Sequence, residues 1–216
     1  MGARVLIVED DSFTRSLLVA TVTGLGHVVV GDCACAADAM RVAAVDTPDV
    51  ALLDLDLGAG PTGADVGYAL RRALPAIGIV LLTSYEEPRL MGTRLRIPDA
   101  AVYLVKQAVS QPTEIDRALR LAREPRAHTP ASDSASIDSR AASLSDGQIE
   151  IMRLVASGLT NAEIARRRYM SEHAVGKAVA RLVTQLRLDY GEGDNPRVLI
   201  TQAYFAMTGA ARPRRD

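Results

Sequence analysis

The chain has no tryptophan, two phenylalanines and two cysteines in its 216 residues. Aromatics make up 4 % of it, so its cores must be built from aliphatic side chains. Cys33 and Cys35 are separated by one residue and stand without nearby histidines. A disulfide across one residue is strained, and two thiols are too few for a zinc site. They read as small strand-end side chains of a reduced compartment. No apolar run approaches the length that spans a bilayer, and Met1-Gly2-Ala3-Arg4 leads directly into a strand, with no signal-peptide pattern. A cytoplasmic protein with no membrane partner is expected. Lysine is scarce too: of 25 Lys and Arg residues, only Lys106 and Lys177 are lysines.

Four apolar runs end on polar residues suited to phosphate chemistry. Arg4-Val5-Leu6-Ile7-Val8 meets Glu9-Asp10, and Val50-Ala51-Leu52-Leu53 meets Asp54. Ile79-Val80-Leu81-Leu82 meets Thr83, and Ala101-Val102-Tyr103-Leu104-Val105 meets Lys106. Short β-rich runs separated by helical patterns predict buried parallel strands. The carboxyl ends of such strands share one sheet edge, where ligands bind. Three acids, a hydroxyl and an ammonium therefore converge on one crevice. In a chain so biased towards arginine, a lysine at a strand end is poor filler, and its compact ammonium suits a phosphoryl oxygen.

The amphipathic segments 12–25, 36–46, 64–74, 87–96 and 112–123, with a further strand at 28–33, complete a βαβαβαβαβα order. Residues 124–143 lose all periodicity in favour of Pro, Ser and Ala, which reads as a flexible linker. Beyond it, Ser145 to Gln148 and Thr160 to Glu163 fit the capping box, and Ser171 caps a third helix. A fourth helix is expected over 195–209. The turn Arg168-Tyr169-Met170 between the second and third helices is short enough for a helix-turn-helix. Charge divides along the same line: 14 basic and 18 acidic residues leave −4 over 1–142, and 11 basic and 8 acidic leave +3 over 143–216. The mildly basic half suits a nucleic-acid partner.

With these motifs the chain resembles a two-component response regulator of the LuxR/NarL/FixJ type. The resemblance implies a receiver over 1–122, a linker over 123–142, a helix-turn-helix domain over 143–210 and a basic tail over 211–216. It implies an α/β receiver with a five-stranded doubly wound parallel sheet, CheY- or flavodoxin-like, followed by a small all-α four-helix domain. Glu9 and Asp10 fall on the family's metal-binding acids, Asp54 on its phosphoacceptor, and Asp56 where a backbone carbonyl completes a Mg²⁺ shell. Thr83 and Tyr103 match the switch pair and Lys106 the phosphate-contacting lysine. The second half carries Leu154-Val155-Ala156-Ser157-Gly158-Leu159-Thr160-Asn161-Ala162-Glu163-Ile164-Ala165, most of the family's scaffold signature. Arg167, Arg168, His173, Lys177 and Arg181 are the implied DNA contacts.

Two departures stand out. The loop Leu57-Gly58-Ala59-Gly60-Pro61-Thr62-Gly63 lacks the usual proline after the aspartate and is one residue longer. Ala174-Val175-Gly176 replaces the usual Thr-Val-Lys, and Ala178 stands where histidine is frequent. The expected partners are a sensor histidine kinase, promoter DNA and, once phosphorylated, a second copy of the chain. No turnover enzyme is expected, since a receiver only gains and loses its own phosphoryl group. Two other readings fit part of the sequence. Asp54-Leu55-Asp56 also satisfies the nucleophile motif of haloacid-dehalogenase-like phosphatases, although those place their metal acids after the lysine. Gly176 and Ala178 would also suit a helical output domain that binds protein in place of DNA.

Overall fold

The computed structural model describes residues 2–91, 96–124 and 140–209. The chain divides into two compact units, Met1–Thr83 with Arg96–Ser136, and Ser84–Leu95 with Ile137–Asp216. Most of the linker expected over 123–142, and the tail over 211–216, lie outside the described residues.

In the first unit the strands are β1 (Arg4–Val8), β2 (Val28–Cys33), β3 (Val50–Asp54), β4 (Gly78–Thr83) and β5 (Val102–Val105). They form one sheet in the order β2-β1-β3-β4-β5, every neighbouring pair parallel. This is the doubly wound sheet that the alternation predicts. The central strands are buried on both faces, as in β3 and β4, because helices cover each side. Val5, Ile7, Val50, Leu52, Val80 and Leu82 pack with side chains of α1 (Ser12–Gly24) and α4 (Pro112–Arg123). The alternate residues face α2 (Ala36–Asp46) and α3 (Gly63–Ala73), where a Cβ on Gly67 would lie 3.3 Å from Ile79 and 3.5 Å from Leu53. Three of these helices start where their caps dictate. Asp11 accepts from the Thr14 amide ahead of α1, and Thr62 and Asp65 form a reciprocal box ahead of α3. The last helix is capped by Gln111, with Pro112 in its first turn and Glu114 closing the box, one residue after the Ser110 start signal.

The helix expected over 87–96 is different. Pro88–Leu90 makes one 3₁₀ turn, closed by the Met91 amide on the Pro88 carbonyl, and 92–95 lie outside the described residues. The amphipathic pattern there has another cause. Leu90 is fully buried in the core of the second unit, so its apolar spacing serves that core and no helix against the sheet.

The second unit holds α5 (Asp146–Ala156), α6 (Asn161–Arg168), α7 (Glu172–Gln185) and α8 (Pro196–Met207). Ile149, Met152, Val155, Ile164, Val175, Val179, Leu182 and Ile200 fill its core. Gly158 ends α5 at φ 80°, a left-handed turn that glycine adopts without a Cβ penalty. Ser145 and Gln148 make the expected reciprocal box, and Ser171 accepts from the Ala174 amide. Thr160 caps α6 alone, because the Glu163 carboxylate is drawn instead to Arg166 and Arg167. Tyr169, at φ 53°, ends α6 and turns the chain into α7.

Candidate functional site

The carboxyl ends of β1, β3, β4 and β5 bring Glu9, Asp10, Asp54, Thr83 and Lys106 to one edge of the first unit, as parallel pairing requires. Glu9 is 1 % exposed, Asp54 7 % and Thr83 fully buried, a degree of burial that polar side chains reach only with partners. Lys106 supplies one: its Nζ donates to Glu9 Oε2 at 2.8 Å and to Asp54 Oδ2 at 2.9 Å. Carboxylate oxygens of Glu9, Asp10 and Asp54 all lie within 4.8 Å of one another.

The electrostatics show what the cluster lacks. Burial pushes the Glu9 carboxyl up to about 7, and the Asp54 charge beside it adds to the rise against the opposing pull of Lys106. Burial alone would lower Lys106, but its bonds to Glu9 and Asp54 prevail and hold the ammonium above its ordinary range. One ammonium cannot neutralise two buried carboxylates and a third at the rim. The residual negative charge is what a divalent cation offsets. Glu9, Asp10 and Asp54 are positioned to coordinate such an ion, and Mg²⁺, which takes few carboxylates and keeps several waters, fits a cluster with one exposed member.

The Glu9 shift has a measurable consequence. A carboxyl raised from 4.5 to about 7 stabilises the metal-free fold fully below pH 4.5, and that contribution fades as pH rises through 7. Metal needs the ionised form, so Mg²⁺ affinity should fall about tenfold per pH unit below 7. Calorimetric titration between pH 8 and 5.5 measures this. Glu9→Gln should bind more weakly at pH 8 and lose most of the pH dependence.

Residues outside the sequence motif hold the edge in shape. Arg15, one turn into α1, donates to the Glu9 carbonyl at 2.7 Å and the Asp10 carbonyl at 3.2 Å, which ties the acid pair to the helix. Gly63 lets α3 begin against β3, since a Cβ there would lie 1.9 Å from the Asp54 carbonyl oxygen. The lengthened loop before it turns at Gly58 and Gly60, both at positive φ. Neither role was legible in the sequence, because each depends on which backbone atoms another element brings near. Asp56 is exposed after β3, its amide donating to Asp54 Oδ1 at 3.3 Å. Tyr103 lies on β5 in register with Leu81, and its side chain is already 8 % exposed. A switch at this ring would therefore start from a buried position.

In the second unit, His173, Lys177 and Arg181 recur every fourth residue along α7 and are all exposed, opposite Val175, Val179 and Leu182. No hydrogen bond or ion pair holds any of the three among the described residues. Arg167 differs, with its Nε 2.7 Å from Glu163 Oε1, and Arg166 pairs with the same carboxylate. Arg168 is exposed at the end of α6. A Cβ on Gly176 would meet nothing within 4 Å, so nothing in the packing of this unit requires glycine there.

A receiver-type sheet with an acid pair, a buried aspartate and a lysine at one edge, followed by a helix-turn-helix, defines a signalling protein of the response-regulator class. The match agrees: residues 5–120 fit the response regulator receiver domain, and the chain belongs to that family. It is 27 % identical over 205 residues to the DNA-binding transcriptional activator DevR/DosR of Mycobacterium tuberculosis, covering 86 % of this chain and 89 % of that one. It is 26 % identical over 196 residues to the response regulator UvrY of Escherichia coli K12, covering 85 % and 88 %. RcsB of Salmonella enterica serovar Typhimurium, solved on promoter rprA with the phosphomimetic BeF3−, superposes with a TM-score of 0.58 at 20 % identity, over 96 % of this chain and all of that one. A structure of two RcsB dimers on two parallel DNAs gives 0.62 at 18 % identity, with the same coverage of this chain. These superpositions extend over the output unit, which shares their helix-turn-helix fold. No helix among the described residues is long and apolar enough to cross a membrane.

Proposed function

We propose that a sensor histidine kinase phosphorylates Asp54, and that the phosphorylated chain pairs with a second copy and binds promoter DNA in the cytoplasm. The observation that carries this reading is the pair of hydrogen bonds that Lys106 donates to Glu9 and Asp54 beside Asp10. An Asp54 carboxylate oxygen attacks the phosphorus of the donor, forming an acyl phosphate as the bond from phosphorus to the donor atom breaks. Lys106 then exchanges a carboxylate partner for a phosphoryl oxygen, and the Thr83 hydroxyl bonds another. Mg²⁺ held by Glu9, Asp10, Asp54 and the Asp56 carbonyl would neutralise charge on the transferring group. Thr83 and Tyr103 act as the switch pair, and their strands transmit the change along the sheet.

For the output, α7 is the recognition helix and lies in the major groove with His173 on it, while Arg167, Arg168, Lys177 and Arg181 contact phosphates. That DevR/DosR is a DNA-binding activator and RcsB was solved on promoter DNA supports the reading. Gly176 and Ala178 present no long donors, so affinity rests mainly on backbone charge and on two copies bound together through α8 or the receiver. Binding should weaken steeply with salt and tighten with acetyl phosphate. Lys177→Ala and Arg181→Ala should each lower the slope of log K against log salt by about 0.9 per lost phosphate contact. Titrations on a selected operator at several salt concentrations read this. Salt-independent binding, or a specific protein partner with no DNA binding, would favour the protein-docking alternative that Gly176 suggests.

A further inference from the structure

Three helices of the second unit end in the same way. The chain turns back through one left-handed residue, and the apolar residue after it packs on the core and donates its amide to a carbonyl near the end of the helix. At the end of α5 the pair is Gly158 and Leu159, at the end of α7 Arg187 and Leu188, and at the end of α6 Tyr169 and Met170. The three amides reach the carbonyls of Leu154, Val183 and Ala165 at 3.3, 3.0 and 3.0 Å. Burial of the second residue fixes the turn, so the first must take a positive φ: 80° at Gly158, 50° at Arg187 and 53° at Tyr169. Glycine adopts this conformation without penalty, whereas a bulky aromatic residue is strained in it.

Tyr169 gains nothing from the fold in return. Its side chain is 98 % exposed, more than any other large apolar side chain among the described residues. No hydrogen bond or ring contact holds it among those residues. Strained backbone that serves no packing is a feature of ligand contacts.

The position of the turn says which ligand. Arg167 and Arg168 stand directly before Tyr169, and Ser171 caps α7 two residues after it, with His173 in the first turn. A recognition helix enters the major groove with its N-terminal residues. The residue just ahead of that end therefore lies at the wall of the groove, which is deoxyribose and phosphate. The arginines there supply charge, and a ring supplies apolar area that they lack.

We infer that Tyr169 is a DNA-contacting residue: its ring packs on the deoxyribose wall of the major groove beside the start of α7 and adds affinity that does not depend on salt. The inference rests on the proposed function for its ligand. Its own content is a neutral contact at the turn, made by a ring that the backbone holds outward at a cost to the fold. One substitution should then act in opposite directions on stability and on binding. Tyr169→Gly should raise the folding constant about threefold, as relief of the left-handed strain outweighs the added freedom of the unfolded chain. It should also lower DNA affinity about fivefold or more. An uncharged ring releases no counterions, so the slope of log K against log salt should stay that of the wild type. Tyr169→Phe keeps the ring and should bind within about twofold of the wild type.

The test uses the full chain with acetyl phosphate and Mg²⁺. Wild type and both variants are titrated on a selected operator and on a single half-site at several salt concentrations, and are unfolded in urea. The expected result for Tyr169→Gly is weaker binding on both DNAs with an unchanged slope and a urea midpoint that does not fall. Wild-type affinity in Tyr169→Gly overturns the contact and leaves the proposed function standing. A loss confined to the operator also overturns it, because the ring would then lie between two copies. A changed slope overturns it too, because the loss would run through Arg167 or Arg168, and a lowered urea midpoint does so by giving the ring a role in the fold. A loss in Tyr169→Phe as large as that in Tyr169→Gly overturns packing by the ring. If the wild type binds neither DNA, the proposed function fails and the inference with it.

Discussion

Wild-type protein incubated with acetyl phosphate and Mg²⁺ is expected to gain one phosphoryl group, and Asp54→Asn none. Asp54 is buried at the end of β3, and one of its oxygens is 2.9 Å from Lys106. The other accepts from the Asp56 amide. An asparagine there keeps the shape and can still accept from Lys106. It removes the nucleophilic charge and one of the three carboxylates of the metal cluster. Asp10 and Asp56 stand nearby but are exposed, whereas Asp54 is buried and bonded to Lys106. Chelating the metal should abolish labelling in the wild type, since the transferring group would meet the carboxylates with only Lys106 to offset their charge. Intact-mass spectrometry reads the result directly. Labelling that persists in Asp54→Asn would move the acceptor elsewhere.

Lys106→Ala should show a second large effect, in both signalling and stability. Without the ammonium, Glu9 and Asp54 share a buried edge with no cation, which should cost about 1–3 kcal/mol at pH 8 in metal-free buffer. The sign of the pH dependence follows from Glu9. Its carboxyl already titrates near 7, and losing its cationic partner raises it further, so acidification neutralises the repelling charge. The penalty should therefore shrink as pH falls from 8 to 5.5, and Mg²⁺ should reduce it at pH 8. Urea unfolding of variant and parent at these two pH values, with and without metal, measures it. A pH-independent loss would mean that Lys106 supports the fold by packing of its stem alone. In the signalling assay, the variant should accept phosphate slowly and fail to tighten DNA binding, because the phosphoryl oxygens lack their cation.

The parallel sheet was legible because each strand is a short, unbroken apolar run, and a run buried on both faces needs helices between it and the next. The site was legible for the same reason. Parallel strands carry their carboxyl ends to one edge, so the residue after each run had to join the others there. Caps were readable wherever a hydroxyl or amide met its own neighbouring backbone, as at Ser145 and Ser171. They failed where a side chain found a better partner. Glu163 turned from its cap to two arginines, a charge-assisted choice that local pattern cannot rank.

By itself the sequence determined the strand order of chemistry, the buried faces of the helices and the α7 stripe of His173, Lys177 and Arg181, since these depend on period and spacing along the chain. Tertiary structure alone decided the rest. The 87–96 pattern is amphipathic in either environment, and only the pocket formed by Ala141, Leu144 and Ile149 claims Leu90 for the second unit. Arg89 reads as an ordinary surface arginine until the carbonyls of residues 141, 142 and 144 gather around it. Apolar spacing says that a face will be buried; which partner buries it is set by distant segments that meet only in the folded chain.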